Sequence, residues 1–364
     1  MKLFKSLLVA PATLGLLAPM SAIANEVTVN DFNAAIENTL LAGGEGLVSD
    51  GSQDGGFSST TTFGGAAEFL IGAKSNGDTD AQEAVMVNYH YSFDLNTSFT
   101  GDDKLNIEIS TGNQYNPSSG DQKTLGDDLD FGEPAGDLLR IEDINYTFPV
   151  GEWKLSFGES MDASKNWPNA CAVNNIYDGI SDCGAGSSVA LGGDISFSAG
   201  RSFGDGWDVG VGLSANDGET TKGMFTKESA DYYGAAIGYS ADNFGVTLAF
   251  SDKDSTSYWG ATAAYSLDNN ATISGGIEFG NPDASSDDTT QYAVGVSADV
   301  GEGTLSVAVG TKEAYTDSQT EHMVYDINYS YPINDSMTIT PFIFIAENAG
   351  EDDNGFGAIT TFKF

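Results

Sequence analysis

From residue 60 to the end, apolar and polar side chains alternate with a period of two, as expected of strands with one apolar face. In 84–95, Val85, Val87, Tyr89, Tyr91, Phe93 and Leu95 share one parity, against Ala84, Asn88, His90, Ser92 and Asp94. The pattern returns near the end, where Met323, Tyr325, Ile327, Tyr329 and Tyr331 alternate with Val324, Asp326, Asn328 and Ser330. It predicts strands at 60–73, 84–97, 104–112, 138–149, 153–159, 188–202, 207–216, 231–240, 244–252, 257–267, 271–280, 290–300, 304–311, 321–332, 336–346 and 354–364. That is about sixteen strands, many near the length a tilted membrane strand needs. One phase slips: Leu139 and Ile141 are followed by Ile144, Tyr146 and Phe148, which reads as a bulge or twist.

Connections between these segments alternate in length. Gly151-Glu152, Gly204-Asp205-Gly206, Asp242-Asn243 and Gly301-Glu302-Gly303 are short, whereas 113–136, 281–289 and 348–354 are long and rich in Asp and Ser. The last strand runs to the final residue, with Phe356, Ala358, Thr360, Phe362 and Phe364 on one parity. A free edge strand in a soluble protein is normally shortened, covered or charged. Closure into a barrel in an outer membrane, where every backbone group must be paired, explains it better. The expected fold is an all-β, transmembrane, antiparallel β-barrel with short periplasmic turns and longer outer loops.

The first residues read as an export signal. Lys2 and Lys5 precede the apolar stretch 7–18, and Ala22-Ile23-Ala24 forms a small-residue cleavage site. The chain therefore divides into a signal peptide (1–24), a short periplasmic segment and linker (25–59) and the barrel (60–364), in an outer membrane of a Gram-negative envelope. No later segment approaches the roughly 20 apolar residues of a membrane helix. Loss of the leader removes two lysines and no acids, moving the formal charge from −39 to −41. So acidic a surface repels nucleic acid, which is excluded as a partner.

Aromatic residues flank the short turns: Phe148 and Trp153, Phe203 and Trp207, Tyr239 and Phe244. In a barrel they form an interfacial girdle. The leader, the stretch FSSTTTFGGAAEFLIGA (57–73) and VNYHYSFDLNTSFTGDDKLNIEISTGN (87–113) resemble cyanobacterial outer-membrane porins. That group is related to the carbohydrate-selective porins and often labelled iron-uptake porins. The resemblance covers the leader and first three strands, and implies passive transport of ions, iron or sugars, with a homotrimer among the assemblies it allows. Members generally carry a surface-layer-homology domain that grips the cell wall. Residues 25–59 are too few for it, so cell-wall anchoring is not carried over.

With apolar side chains outward, the opposite parity lines the lumen. It carries Glu68, Asp94, Glu108, Asp194, Glu278, Asp299 and Asp326, against Lys104, Arg140, Lys154 and Lys363, with His90 neutral. This carboxylate excess favours cations. Acids on outer loops, such as Asp352 and Asp353, would add little selectivity at high salt.

Cys171 and Cys183 lie in the longest loop, 160–187, and in an exported chain such a pair reads as a disulfide. The loop follows the fifth strand. In general porins the loop at that place narrows the channel, and the resemblance implies the same here, with Lys165, Trp167, Asp178 and Asp182 as constriction residues. The alternative is a stapled surface loop. His90 and His322 stand in no catalytic or metal-ligand spacing, so no enzyme activity and no cofactor are expected. Residues 76–80 match a calcium loop only loosely. Expected partners are outer-membrane lipid, the barrel-assembly machinery (through Phe356, Phe362 and Phe364), and small hydrophilic solutes and cations. The competing reading is a secreted acidic β-rich adhesin or surface protein. It needs neither alternating loop lengths nor a terminal aromatic strand.

Overall fold

The structure, a computed structural model, describes residues 61–75, 84–114, 125–129, 131, 137–267 and 270–364. The expected signal peptide (1–24), the segment 25–59 and the stretch 76–80 lie outside the described residues.

The period-two segments form one antiparallel sheet. In chain order the strands are β1 (Thr62–Ser75), β2 (Met86–Thr97), β3 (Lys104–Gly112), β4 (Arg140–Val150), β5 (Trp153–Glu159) and β6 (Ile195–Phe203). They continue with β7 (Trp207–Ala215), β8 (Asp231–Ser240), β9 (Phe244–Lys253), β10 (Thr256–Ser266), β11 (Ala271–Pro282) and β12 (Thr289–Val300). The last are β13 (Gly303–Thr311), β14 (Tyr315–Thr316), β15 (Met323–Asn334), β16 (Met337–Ala346) and β17 (Asp353–Lys363). β14 is a two-residue outlier paired to β12. The other sixteen close a barrel, because β1 pairs with both β2 and β17. The chain end completes this seam: Phe364 N–H donates to the Gly65 carbonyl, and Gly65 N–H to that of Phe364.

Large apolar side chains point outward. Phe356, Leu248 and Trp259 are 58%, 61% and 62% exposed, more apolar surface than a soluble monomer tolerates but suited to hydrocarbon. Rings cluster at the short-turn end: Phe203–Trp207, Trp207–Tyr239 and Tyr239–Phe244 have centroids 6.5, 5.0 and 5.7 Å apart. Gly206 takes φ +95°, which an L side chain resists, and turns the chain between β6 and β7.

The phase slip near residue 141 is a β-bulge. Glu108 pairs with Asp143 and Ile109 with Ile141, leaving Glu142 as the extra residue. The expected strand 188–202 starts only at Ile195, because Gly186–Val189 forms a short helix, α2, inside the barrel. Outer connections are not uniformly long either: only Asp254 and Ser255 join β9 to β10.

One short turn is held by a single carboxylate. Asp103 accepts from Ser98 Oγ (2.8 Å), the amides of Phe99 and Thr100 (both 2.9 Å) and Tyr146 OH (2.5 Å). The Tyr146 hydroxyl foremost, with these other donors, holds the carboxyl well below the usual carboxylate range against the opposing pull of desolvation. A depressed folded-state value contributes stability above the unfolded value and loses it as pH falls towards the folded one. Asp103→Asn is therefore expected to lower the melting temperature at neutral pH, with the deficit shrinking below about pH 4. A pH-independent deficit in thermal melts would contradict this.

Candidate pore and constriction

Along its longest connection, 160–194, the chain turns into the barrel and lies on the inner wall. The wall suits it. Inward positions of β6 to β15 carry Gly, Ser, Thr, Asn and Asp, so the loop finds room where it packs and acceptors where its amides point. Ala163 packs on Gly212, and Trp167 on Gly210 and Gly234; a Cβ at Gly210 would meet the indole at 2.4 Å. Beyond this point every second amide meets the next wall position. Ala170 N–H donates to Thr262 Oγ1 (3.1 Å), Ala172 N–H to Ser274 Oγ (2.9 Å) and Asn174 N–H to Ser297 Oγ (3.4 Å). Ile176 and Tyr177 N–H both donate to Asp326 Oδ2, at 2.8 and 2.7 Å. On the return, Ser188 N–H donates to Glu278 Oε2 at 2.5 Å.

Cys171 and Cys183 are disulfide-bonded, with Cα atoms 5.7 Å apart, and Cys183 Sγ lies 3.2 Å from Ser274 Oγ. Asp182 sits within this closed turn and accepts from Asn169 Nδ2 at 2.7 Å. Asp178 is exposed at the start of a 3₁₀ segment, Asp178–Gly184.

A second segment also folds inward. Helix α1 (Leu125–Asp128), with Leu129 and Phe131, packs with Leu70, Tyr177, Ile180, Val324, Phe342 and Phe344 into a dry core inside the loop end of the barrel. Lys74, buried on β1, pairs with Asp128 at 2.5 Å and Asp353 at 3.9 Å; Lys312 reaches Asp353 at 3.3 Å.

The wall from β1 to β5 remains polar and wet. Glu68 lies 3.7 Å from His90 and accepts from Thr361 Oγ1 at 2.9 Å. The bulge turns both Glu142 and Asp143 inward, where Ser110 donates to Glu142 and Arg140 lies 3.6 Å from it. Glu108 has the acids Asp94, Asp143 and Glu142 and the imidazole of His90 as neighbours. Across the remaining gap, Lys165 of the infolded loop comes to 4.0 Å from Asp143, and both side chains still reach water. Lys104 and Lys154 stand within electrostatic range of Lys165. The space between this wall and the loop is the candidate water path.

A sequence model of Gram-negative porins matches residues 33–353. The chain belongs to the Gram-negative porin family. This porin also shares its fold with an anion-selective porin from Comamonas acidovorans, at 14% identity and TM-score 0.59, over 84% of this chain and 99% of that one. A triple mutant of the Rh. blastica porin aligns at 11% identity and TM-score 0.55, over 84% and 100%. No curated protein sequence matched the chain. A Gram-negative porin is an outer-membrane channel, which places the short turns in the periplasm and the long loops outside.

The porin geometry corrects several sequence expectations. Glu278 and Asp326 have inward parity but are 2% and 1% exposed, sealed beneath the loop, and do not line the water path. Trp167 is buried against the wall and does not face the aperture. Asp194 sits at the outer rim, where it accepts from Asp217 N–H at 2.7 Å. Asp353 is no free outer-loop acid but part of the Lys74 and Lys312 network. Asp299 and Lys363 are exposed near the periplasmic turns. Sequence reasoning missed Lys74, Glu142 and Asp143. The slip between Ile141 and Ile144 was the signal for the last two, since a bulge lets consecutive residues share a face.

Proposed function

We propose that this porin is a passive diffusion channel for ions and small hydrophilic solutes, weakly selective for cations. The observation that carries this is the partly exposed wall of Asp94, Glu108 and Asp143, with Lys165 of the infolded loop 4.0 Å from Asp143. Acids on the path, Glu68, Asp94, Glu108, Glu142, Asp143, Asp162, Asp208 and Asp299, outnumber Lys104, Arg140, Lys154, Lys165, Lys253 and Lys363 without displacing them, which supports weak rather than strong selectivity. Among the described residues the inward aromatics Trp167, Tyr177, Phe342 and Phe344 are buried, while Tyr232 on β8 and Tyr258 on β10 keep part of their rings exposed. The charged wall supports small charged solutes, inorganic ions among them.

The test is the reversal potential of single channels in a salt gradient. Glu108→Lys with Asp143→Lys is expected to move the cation-to-anion permeability ratio from above to below one. Glu351→Lys with Asp352→Lys, at the outer rim, should change it little at 1 M salt, where the Debye length is about 3 Å. A protein that conducts no ions, or prefers anions before any substitution, overturns the reading. We further propose that Phe356, Phe362 and Phe364 present the assembly signal to the barrel-assembly machinery, and that the barrels associate as homotrimers.

A further inference from the structure

On the wall of β2 to β5, two lysines and three carboxylates stand at different depths, with Arg140 beside Glu142 at the upper one. Lys104 is the first residue of β3 and Lys154 the second of β5, so both lie beside the periplasmic turns. The carboxylates lie above them: Asp94 is three residues before the end of β2, Glu108 four residues into β3 and Asp143 seven before the end of β4. The infolded loop adds a third lysine between the levels: its Asn166 rests on Gly200, the β6 partner of Lys154, while the neighbouring Lys165 reaches up to 4.0 Å from Asp143.

A ladder of amides separates and fixes the two levels. Asn106 Nδ2 donates to Asp94 Oδ1 (2.6 Å) and Asn96 Oδ1 (3.1 Å), and Asn145 Nδ2 to Asp143 Oδ1 (2.8 Å) and Asn106 Oδ1 (3.1 Å). The carboxylates are thereby held on one side of the ladder and cannot collapse onto Lys104 and Lys154.

A monovalent cation entering from outside is attracted by the first level and repelled at the second. A monovalent anion meets the reverse. A neutral solute gains from neither. Only a solute carrying both charges, its ammonium trailing towards the carboxylates and its acid group leading towards the lysines, is attracted at both levels together.

We propose that the channel favours small zwitterions, of the class of free amino acids, over neutral or singly charged solutes of equal size. This rests on the channel reading above and narrows its substrate class.

Swelling of liposomes containing the full-length porin tests it with four probes of similar size: 4-aminobutyrate, 4-hydroxybutyramide, butyrate and butylammonium. At low salt the zwitterion is expected to enter about threefold faster than the neutral amide, roughly what one solvent-exposed ion pair contributes. The advantage should disappear near 1 M salt, where screening is about 3 Å. It should also disappear in Lys104→Gln with Lys154→Gln, read as the ratio of zwitterion to neutral-amide entry into the same vesicles. Equal entry of zwitterion and neutral amide at low salt overturns the proposal, as does an advantage that survives both salt and substitution. If no probe causes swelling, the channel reading itself fails. Should the lysine variant not assemble, the salt series on the natural protein decides.

Discussion

A barrel carrying Asp326→Ala with Glu278→Ala is expected to conduct more current, and with more noise, than the natural protein. These two carboxylates receive three loop amides, those of Ile176, Tyr177 and Ser188, in a region closed to water. Each amide orphaned in a buried site costs about 1–3 kcal/mol. The remaining anchors are hydrogen bonds to neutral acceptors such as Thr262, Ser274 and Ser297, each contributing about 1 kcal/mol. Losing three charge-assisted bonds thus removes much of what holds 170–190 to the wall. The loop should then sample detached positions, and Lys165 should no longer stay beside Asp143. Asp326→Asn, which keeps an acceptor at the same place, should give a smaller change. Single-channel recordings decide between these outcomes. A double variant with natural conductance and noise would show that the disulfide and the glycine-lined packing hold the loop without the carboxylates.

Most of the barrel was legible in the sequence because a period of two has only one physical meaning over so many segments. Each strand had to place its apolar parity on one face, and hydrocarbon outside accepts that face all round the barrel. The failure at 188–194 is instructive. Val189 and Leu191 continue the parity of Ile195, but Ser188 packs on Gly260 and its amide meets Glu278, so an interior contact decided the local structure. Parity alone could not tell which inward side chains meet water. Asp326 and Asp94 have the same parity and the same chemistry, yet one lies under the loop and the other on the open wall. The distinction depends on the path of a segment whose own sequence has no periodic signal. The glycines at 210, 212 and 234 marked that path, since an inward row of residues without side chains leaves a groove on the wall.

Lys74→Met is expected to free the second infolded segment, α1. Lys74 is buried on β1, 2.5 Å from Asp128 and 3.9 Å from Asp353, and Lys312 bridges Asp353 and Asn348 from the other side. Removing one partner of a buried pair leaves a buried charge without compensation and costs about 3–5 kcal/mol. Lys312 stays with Asp353, so the loss falls on Asp128. The apolar contacts of Leu125, Leu129 and Phe131 with Leu70, Tyr177 and Phe344 resist release, because undocking returns those side chains to water. The helix itself spans only four residues and has no independent stability, so the balance rests on the ion pair. Limited proteolysis at the outer face should therefore cut within 113–136 in Lys74→Met faster than in the natural protein. Lys74→Met with Asp128→Leu should restore resistance, because both charges are gone and the apolar contacts remain. If the single variant resists proteolysis as well as the natural chain, the apolar core alone holds the segment. If the double variant is cut as fast as the single one, the ion pair positions the segment in a way that apolar side chains cannot replace.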